Sequence, residues 1–422
     1  MTTPLRKRAA EVSRLIKRSF EIPVVWGGPD PTINVEECLV YCDFVCIGEG
    51  EKAIVDIASA LDEKRDIKEV KNLAYLEGNT VVRNSLYPLI ANLDDLPFKD
   101  IDKDNKFCIE YDALIKEFSM INNRNRYLYD LVSARGCPYK CSYCCEDYYK
   151  ALYSKQIFLR RRSPLHVVQE LKNAKKVMDY GYIQFDDEVF SFGYDWLEEF
   201  KDMYKNEINL PFAANIYPNR DIERQLKILK EIGLDHTCLA LQSGSERINR
   251  EVFNRIFNRG LFIKTANLLY AMGVRYYVDV ITFNPFEKEK DLQATLGVLK
   301  ELPKPFWICV NKLYILKGTK IHDLIENYRE LKEEKTVPED LFLYYCRLFW
   351  LARRFNKKFV TLIEKAKIFR YFSVLISYLL YLDEYVNKHL HLEYHVGNYV
   401  KHAMHISSMI KRTIKKLLSN AR

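Results

Sequence analysis

The sequence predicts an α/β chain centred on a partial (β/α)6 TIM-like barrel, on three observations. From about residue 127 to 335, six short β-rich runs alternate with longer helical runs, the pattern of βα units in a parallel sheet. The β-rich runs end in polar or glycine-bearing stretches, and barrels of this kind carry chemistry at the C-terminal ends of their strands. Beyond residue 335 glycine nearly disappears, with only Gly397, and aromatic, aliphatic and basic residues take over.

In chain order, residues 1–90 come first. IPVVWGGPDPT and YCDFVCIGEGEKAIVDIASAL read as two strand–loop–helix units, and LAYLEGNTVVRN as a hairpin around Gly78 and Asn79. Two parallel strands are too few for an independent doubly wound sheet, so this segment reads as the tail of a domain whose beginning is absent. Residues 91–126, opening on LDDLPF, read as an irregular linker.

The barrel strands are expected in YLYDLVS, YIQF, PFAANIY, TCLALQ, YYVDVITF and CVNKLYIL. Ser163 before Pro164 marks a helix start, and Gly181, Gly233 and Gly273 mark helix stops. SERINREVFNR through NLLYAMG reads as one helical run. Residues 336–422 read as a helical domain. Its last 22 residues hold six Lys or Arg and no acid, with Ala403, Ile406, Ile410, Ile414 and Leu417 at helical spacing. That is a basic amphipathic helix, which either docks its apolar face or meets a membrane surface or an acidic partner.

At 422 residues and 48% hydrophobic, the chain can bury cores without disulfides. The basic N-terminus lacks the apolar centre of a secretory signal, and the most apolar run, FSVLISYLLYL, is too short to span a bilayer. A cytoplasmic protein is expected, its eleven cysteines serving as core fillers or ligands. A net charge of +8 does not by itself call for nucleic acid.

The stretch RGCPYKCSYCCEDYY carries the chemistry. Thiolates at Cys137, Cys141 and Cys144 stand close enough on one loop to share a metal centre. A structural zinc site would want a second C-x-x-C or a histidine pair, and none follows. A ferredoxin-type cluster takes four cysteines, and Cys145, as a sequence neighbour of Cys144, reads better as a buried thiol than as the fourth. Three ligands leave one iron open.

Cys137-Pro-Tyr-Lys-Cys141-Ser-Tyr-Cys144 resembles the C-x-x-x-C-x-aromatic-C signature of the radical S-adenosylmethionine (SAM) superfamily. The resemblance implies a [4Fe-4S] cluster on these three cysteines, with SAM chelated to the fourth iron and cleaved by one electron to a 5′-deoxyadenosyl radical. It implies Tyr143 packed near the adenine. FDDEVF resembles an element in which the superfamily has Gly-Gly-Glu, making Asp186 and Asp187 candidates for the SAM ammonium, or alternatively a helix cap. LQSGSERIN resembles the element beside the SAM ribose and carboxylate, bringing in Ser243, Ser245 and Glu246; Ser243 and Glu246 also form the S-x-x-E of a capping box.

ITFNPFE, with Ile281, resembles an element ending Gly-x-Pro-Gly-Glu, with Phe283 and Phe286 in the glycine places, and Lys317 stands where relatives have proline. Segment 20–60 resembles the end of a cobalamin-binding domain fused to one radical SAM class, with Gly27 and Gly28 near the nucleotide tail. The D-x-H-x-x-G loop that supplies a cobalt ligand is not in the sequence, so a cobalamin-dependent methyltransferase and a cobalamin-free enzyme both stay open. Arg160 to Arg162 read as guanidiniums offered to an anionic substrate or to SAM, or as solvated charge. A low-potential donor, ferredoxin or flavodoxin, is implied; the substrate, its reaction (methylation, cyclisation or rearrangement) and the oligomeric state are not. The rival reading is a non-catalytic zinc or iron–sulfur protein that binds nucleic acid or an acidic partner through its basic tail.

Overall fold

The computed structural model describes residues 5–101, 107–110, 113–115, 128–331 and 337–365. Two compact units are present, one of residues 1–102 and 127–356, the other of residues 103–126 and 357–422. The expected basic helix at residues 403–417 and the run FSVLISYLLYL lie outside the described residues. No helix among the described residues is long and apolar enough to cross a membrane.

The first unit opens with helix α1 (Arg6–Ser19) and a four-stranded sheet of β1 (Val25–Gly27), β2 (Phe44–Cys46), β3 (Leu73–Glu77) and β4 (Thr80–Arg83). β1 and β2 are parallel; the β3–β4 hairpin, turning at Gly78 and Asn79, adds to β2 antiparallel. The hairpin thus completes a mixed sheet that the two parallel strands alone could not sustain. Helix α2 (Glu51–Asp62) follows β2 and buries Ala53, Ile57 and Ala60 against it.

The barrel sheet runs β5 (Leu128–Leu131), β6 (Tyr182–Phe185), β7 (Phe212–Ile216), β8 (Leu234–Gln242), β9 (Arg275–Thr282) and β10 (Trp307–Lys312). All five pairings are parallel between sequence neighbours, and the order ends at β5 and β10, so the barrel is open. Connecting helices bury one stripe each: in Ile222–Glu231, Ile222, Leu226 and Leu229 recur at the spacing of one helical face. Ser163 caps the helix Pro164–Val177 through a 3.1 Å bond from the His166 amide. Phe185, at the end of β6, sits among Phe190, Phe200, Tyr204 and Phe212, fixing where the next residues emerge.

Two expectations are corrected. The helical run after β8 breaks: a π-helical turn, Ile248–Val252, ends at Asn254 in the left-handed region (φ 46°), and a new helix, Arg259–Ala271, is capped by Asn258. CVNKLYIL leaves the sheet at Lys312, so Leu313 to Leu316 form a loop rather than strand. Helix Glu339–Ala352 packs on the barrel, with Phe342 stacked on Phe283 at 4.9 Å and the Tyr345 hydroxyl on Glu289 at 3.1 Å.

Candidate functional site

β5 delivers the chain to the barrel mouth, and a two-residue ribbon, Ala134–Arg135 paired with Arg160–Arg161, turns it toward the cysteines. Gly136 makes that turn at φ +90°, where a Cβ would stand 2.6 Å from the Phe158 carbonyl oxygen. The loop is then fastened to the break after β8. The Ser142 amide donates to Phe253 O at 2.9 Å, the Ser142 hydroxyl to Val252 O at 2.5 Å, and Asn254 Nδ2 to Lys140 O at 2.9 Å. Tyr139 stacks on Tyr217 at 3.9 Å, and the Arg255 guanidinium lies 4.8 Å above the Tyr217 ring.

Cys137, Cys141 and Cys144 are free and half-buried on this loop. Cys137 and Cys141 share Tyr139 and Tyr217 as electrostatic neighbours, and Cys141 and Cys144 share Tyr143. Among the described residues no three His, Cys, Asp or Glu side chains stand as a metal-binding group. Burial pushes the Cys137 thiol up to about 11 and raises Cys141; a hydrogen bond with Cys145, then burial, raises Cys144. A bound metal would displace the thiol protons and be held by the three thiolates. The fit to a [4Fe-4S] cluster rests on the donor chemistry, three free thiols on one anchored eight-residue loop.

Of the predicted SAM contacts, Tyr143 and Ile281 come together on one apolar cluster with Ile248, Val252 and Phe253; the Tyr143 ring meets Phe253 edge-on at 4.9 Å. Asp186 is exposed and lines the cavity described below. Asp187 is corrected: it is 1% exposed, accepts from the Ser133 hydroxyl at 2.9 Å and amide at 3.3 Å, and so ties β6 to β5 rather than facing a ligand. Burial raises its carboxyl from the ordinary range.

Ser243 and Ser245 are buried, and their hydroxyls are taken up within the turn and by the helix that carries Asp291. The Ser245 hydroxyl donates to Asp291 at 2.6 Å and accepts from the Ile248 amide, while Ser243 accepts from the Ser245 amide. The Ser243–Glu246 capping box does not form; Glu246 is exposed. Phe283 keeps the left-handed backbone (φ 57°) that glycine would supply there.

The three arginines all have partners within the protein rather than standing as solvated charge alone. Arg160, 7% exposed, holds Glu49 at 2.8 Å; Arg161 lies 3.4 Å over Trp196 and donates to Phe190 O; Arg162 pairs with Glu170 at 2.5 Å. Lys317 pairs with Glu37.

Between the ends of β1 and β2 and the mouth at β5 and β6 lies a cavity of about 710 Å³. Gly27, Gly28, Gly48, Glu51, Glu146 and Glu188 are among its walls, with Gly136 beside Cys137. Glu146 and Glu188 are residues the sequence reading passed over. Burial, then Glu188, pushes the Glu146 carboxyl up to about 7; Glu188 is itself exposed at the cavity wall, where partial desolvation, then Asp187, raises its carboxyl. Both act electrostatically on Cys137 and Cys144 or its neighbour Cys145. The available signal was positional: Glu188 stands third in Asp-Asp-Glu, in register with the glutamate of Gly-Gly-Glu. No histidine lines the cavity, so its walls offer cobalt no imidazole.

A parallel six-stranded barrel sheet with a three-cysteine loop at its mouth is the arrangement that the resemblance to radical SAM domains called for. Residues 131–299 match the Radical SAM superfamily model. Among sequence relatives is the "uncharacterized methyltransferase PH0819" of Pyrococcus horikoshii, 26% identical over 71% of this chain and 63% of that protein. Another is the anaerobic magnesium-protoporphyrin IX monomethyl ester cyclase of Cereibacter sphaeroides, 26% identical over 55% of this chain and 37% of its own length.

Two solved structures share the fold. TsrM from Kitasatospora setae, a radical SAM methyltransferase solved with cobalamin and a [4Fe-4S] cluster bound, gives a TM-score of 0.59 at 15% identity, covering 79% of this chain and 62% of TsrM. OxsB, a cobalamin-dependent S-adenosylmethionine radical enzyme, gives 0.61 at 16% identity, covering 80% of this chain and 52% of OxsB. The chain therefore spans less than two thirds of the length of these relatives.

Proposed function

We propose that this chain holds a [4Fe-4S] cluster on Cys137, Cys141 and Cys144 and uses it to cleave SAM reductively, beginning radical chemistry on an organic substrate. The observation that carries the reading is one eight-residue loop of three free thiols, set by Gly136 and Ser142 at the barrel mouth beside the 710 Å³ cavity. The bound cluster and SAM supply the electron transfer and the radical.

The protein's own part is to bind, orient and shield. Glu188 and Asp186, at the end of β6, would accept from the SAM ammonium. Asp187, through Ser133, keeps the ends of β5 and β6 in register so that the cysteines and Glu188 face one space. Tyr143 and Ile281 give the adenine an apolar surface. Misplacing a reacting atom by about 1 Å costs roughly a hundredfold in rate, so this scaffolding is part of the chemistry.

Relatives named methyltransferase and cyclase make methylation and ring formation the reactions to try first. A ferredoxin or flavodoxin is the electron donor to supply. The radical SAM match does not favour the non-catalytic zinc reading. The test is anaerobic reconstitution with iron, sulfide, dithionite and SAM. About four irons per chain and release of 5′-deoxyadenosine are expected, and Cys141→Ala should abolish both; either one surviving in the variant removes Cys141 from the ligand set.

A further inference from the structure

Among the buried polar atoms that lack a hydrogen-bond partner in the described residues, three belong to side chains lining the 710 Å³ cavity: Glu51 Oε2, Glu146 Oε2 and the Tyr153 hydroxyl. Tyr153 is 3% exposed, with its ring against Gly48, where an added methyl would come within 1.9 Å of the hydroxyl. A buried polar atom left unpaired costs about 1–3 kcal/mol, so three facing one space are an arrangement that a ligand completes.

Their chemistry says what kind. A carboxylate only accepts, and a phenol oxygen can accept as well, so the missing partner carries N–H or O–H donors. The charge balance selects among donors. The walls hold five carboxyl groups against two guanidiniums, Arg135 and Arg160. Both guanidiniums are turned onto Glu49, at 3.0 and 2.8 Å, and Arg135 also onto Glu51 at 2.5 Å, so neither is left to meet an anion. Val25, Ile54, Ile57 and Leu89 give the same space an apolar floor.

We propose that the part of this cavity walled by the N-terminal sheet, Glu51 and Tyr153 binds an organic amine, an ammonium group on an apolar body, as the substrate of the radical reaction. This rests on the radical SAM reading in treating the amine as substrate; the binding chemistry stands apart from it. SAM, taken at Glu188 and Asp186, leaves Glu51 and Tyr153 to the second molecule.

The experiment titrates the reconstituted full-length protein with 4-phenylbutylamine and with 4-phenylbutyrate, bodies matched and charges opposite, by calorimetry in the presence of SAM. The amine should bind at least ten times more tightly than the acid. Tyr153→Phe should weaken the amine about tenfold without lowering the thermal midpoint of the ligand-free protein, because it deletes a hydroxyl that has no partner there. Glu51→Gln should weaken it similarly.

Equal binding of amine and acid, an amine affinity untouched by both variants, or displacement of the amine by SAM or hydroxocobalamin would overturn the proposal. Release of 5′-deoxyadenosine by the wild-type protein is scored separately. Its absence counts against the radical SAM reading, and the amine titration counts for or against the amine site alone.

Discussion

Gly136 shows how one residue governs the site. It combines a left-handed backbone with a backbone oxygen 2.6 Å from where a Cβ would stand, one residue before Cys137. Gly136→Ala should cost roughly 1–3 kcal/mol and re-aim the cysteine loop. Urea unfolding of the apoprotein reads the first effect, and iron bound per chain after reconstitution reads the second; a variant that loads iron normally would show that the turn does not aim the ligands. Glu287 gives a second residue-scale test. It is 3% exposed beside Thr282, and burial pushes its carboxyl up to about 8. Because the folded value lies above the unfolded one, the folded state binds the extra proton. This contribution is complete below about pH 4.5 and is lost as pH rises through 8, by up to about 1.4 kcal/mol per unit. Glu287→Gln should flatten that slope between pH 5 and 8 in denaturation midpoints; an unchanged slope would place the titration elsewhere.

At the scale of elements, the strands were readable from period and composition, and the break after β8 was not. SERINREVFNRIFNRG holds helix formers without glycine or proline until Gly260, so local propensity favours one continuous run. Tertiary bonds to the cysteine loop won instead: Phe253 O and Val252 O are taken up by Ser142, and Asn254 turns out to reach Lys140 O. The only local hints were Asn254 and Asn258, residues that tolerate a left-handed turn or cap a helix. The same limit explains Asp187 and the Ser243 turn, whose partners lie on other strands and helices. Ser142→Ala tests the anchor. Losing the buried 2.5 Å bond to Val252 O should cost about 1–2 kcal/mol. Amide exchange across residues 137–144 should quicken about tenfold while that of β5 to β10 holds, and uniform protection would mean the loop is held by other means.

Over the molecule, βα alternation foretold the barrel, whereas the cavity needed the fold, because it joins residues 25–57 to residues 132–160 and 186–188. Glu49 is the hinge of that junction. It follows β2 and takes Arg135 and Arg160 from the ribbon that aims the cysteines, together with the Ile90 amide at 3.0 Å. Burial alone would raise its carboxyl, yet the Arg160 and Arg135 hydrogen bonds outweigh that and hold it below the ordinary range. Its stabilisation is therefore present at neutral pH and fades as acid protonates it. Removing one partner of a buried pair is costlier than the pair's net worth, because the remaining charge stays desolvated. Arg160, its side chain 6% exposed, has little water to turn to. Glu49→Gln should therefore cost roughly 3 kcal/mol and lower the thermal midpoint by several degrees. Because the lost pair spans the sheet β1–β4 and the barrel, the loss should appear as faster amide exchange in residues 25–83 than in the barrel strands. A midpoint unchanged at neutral pH, or exchange rising equally throughout, would show that apolar packing alone couples the two sheets.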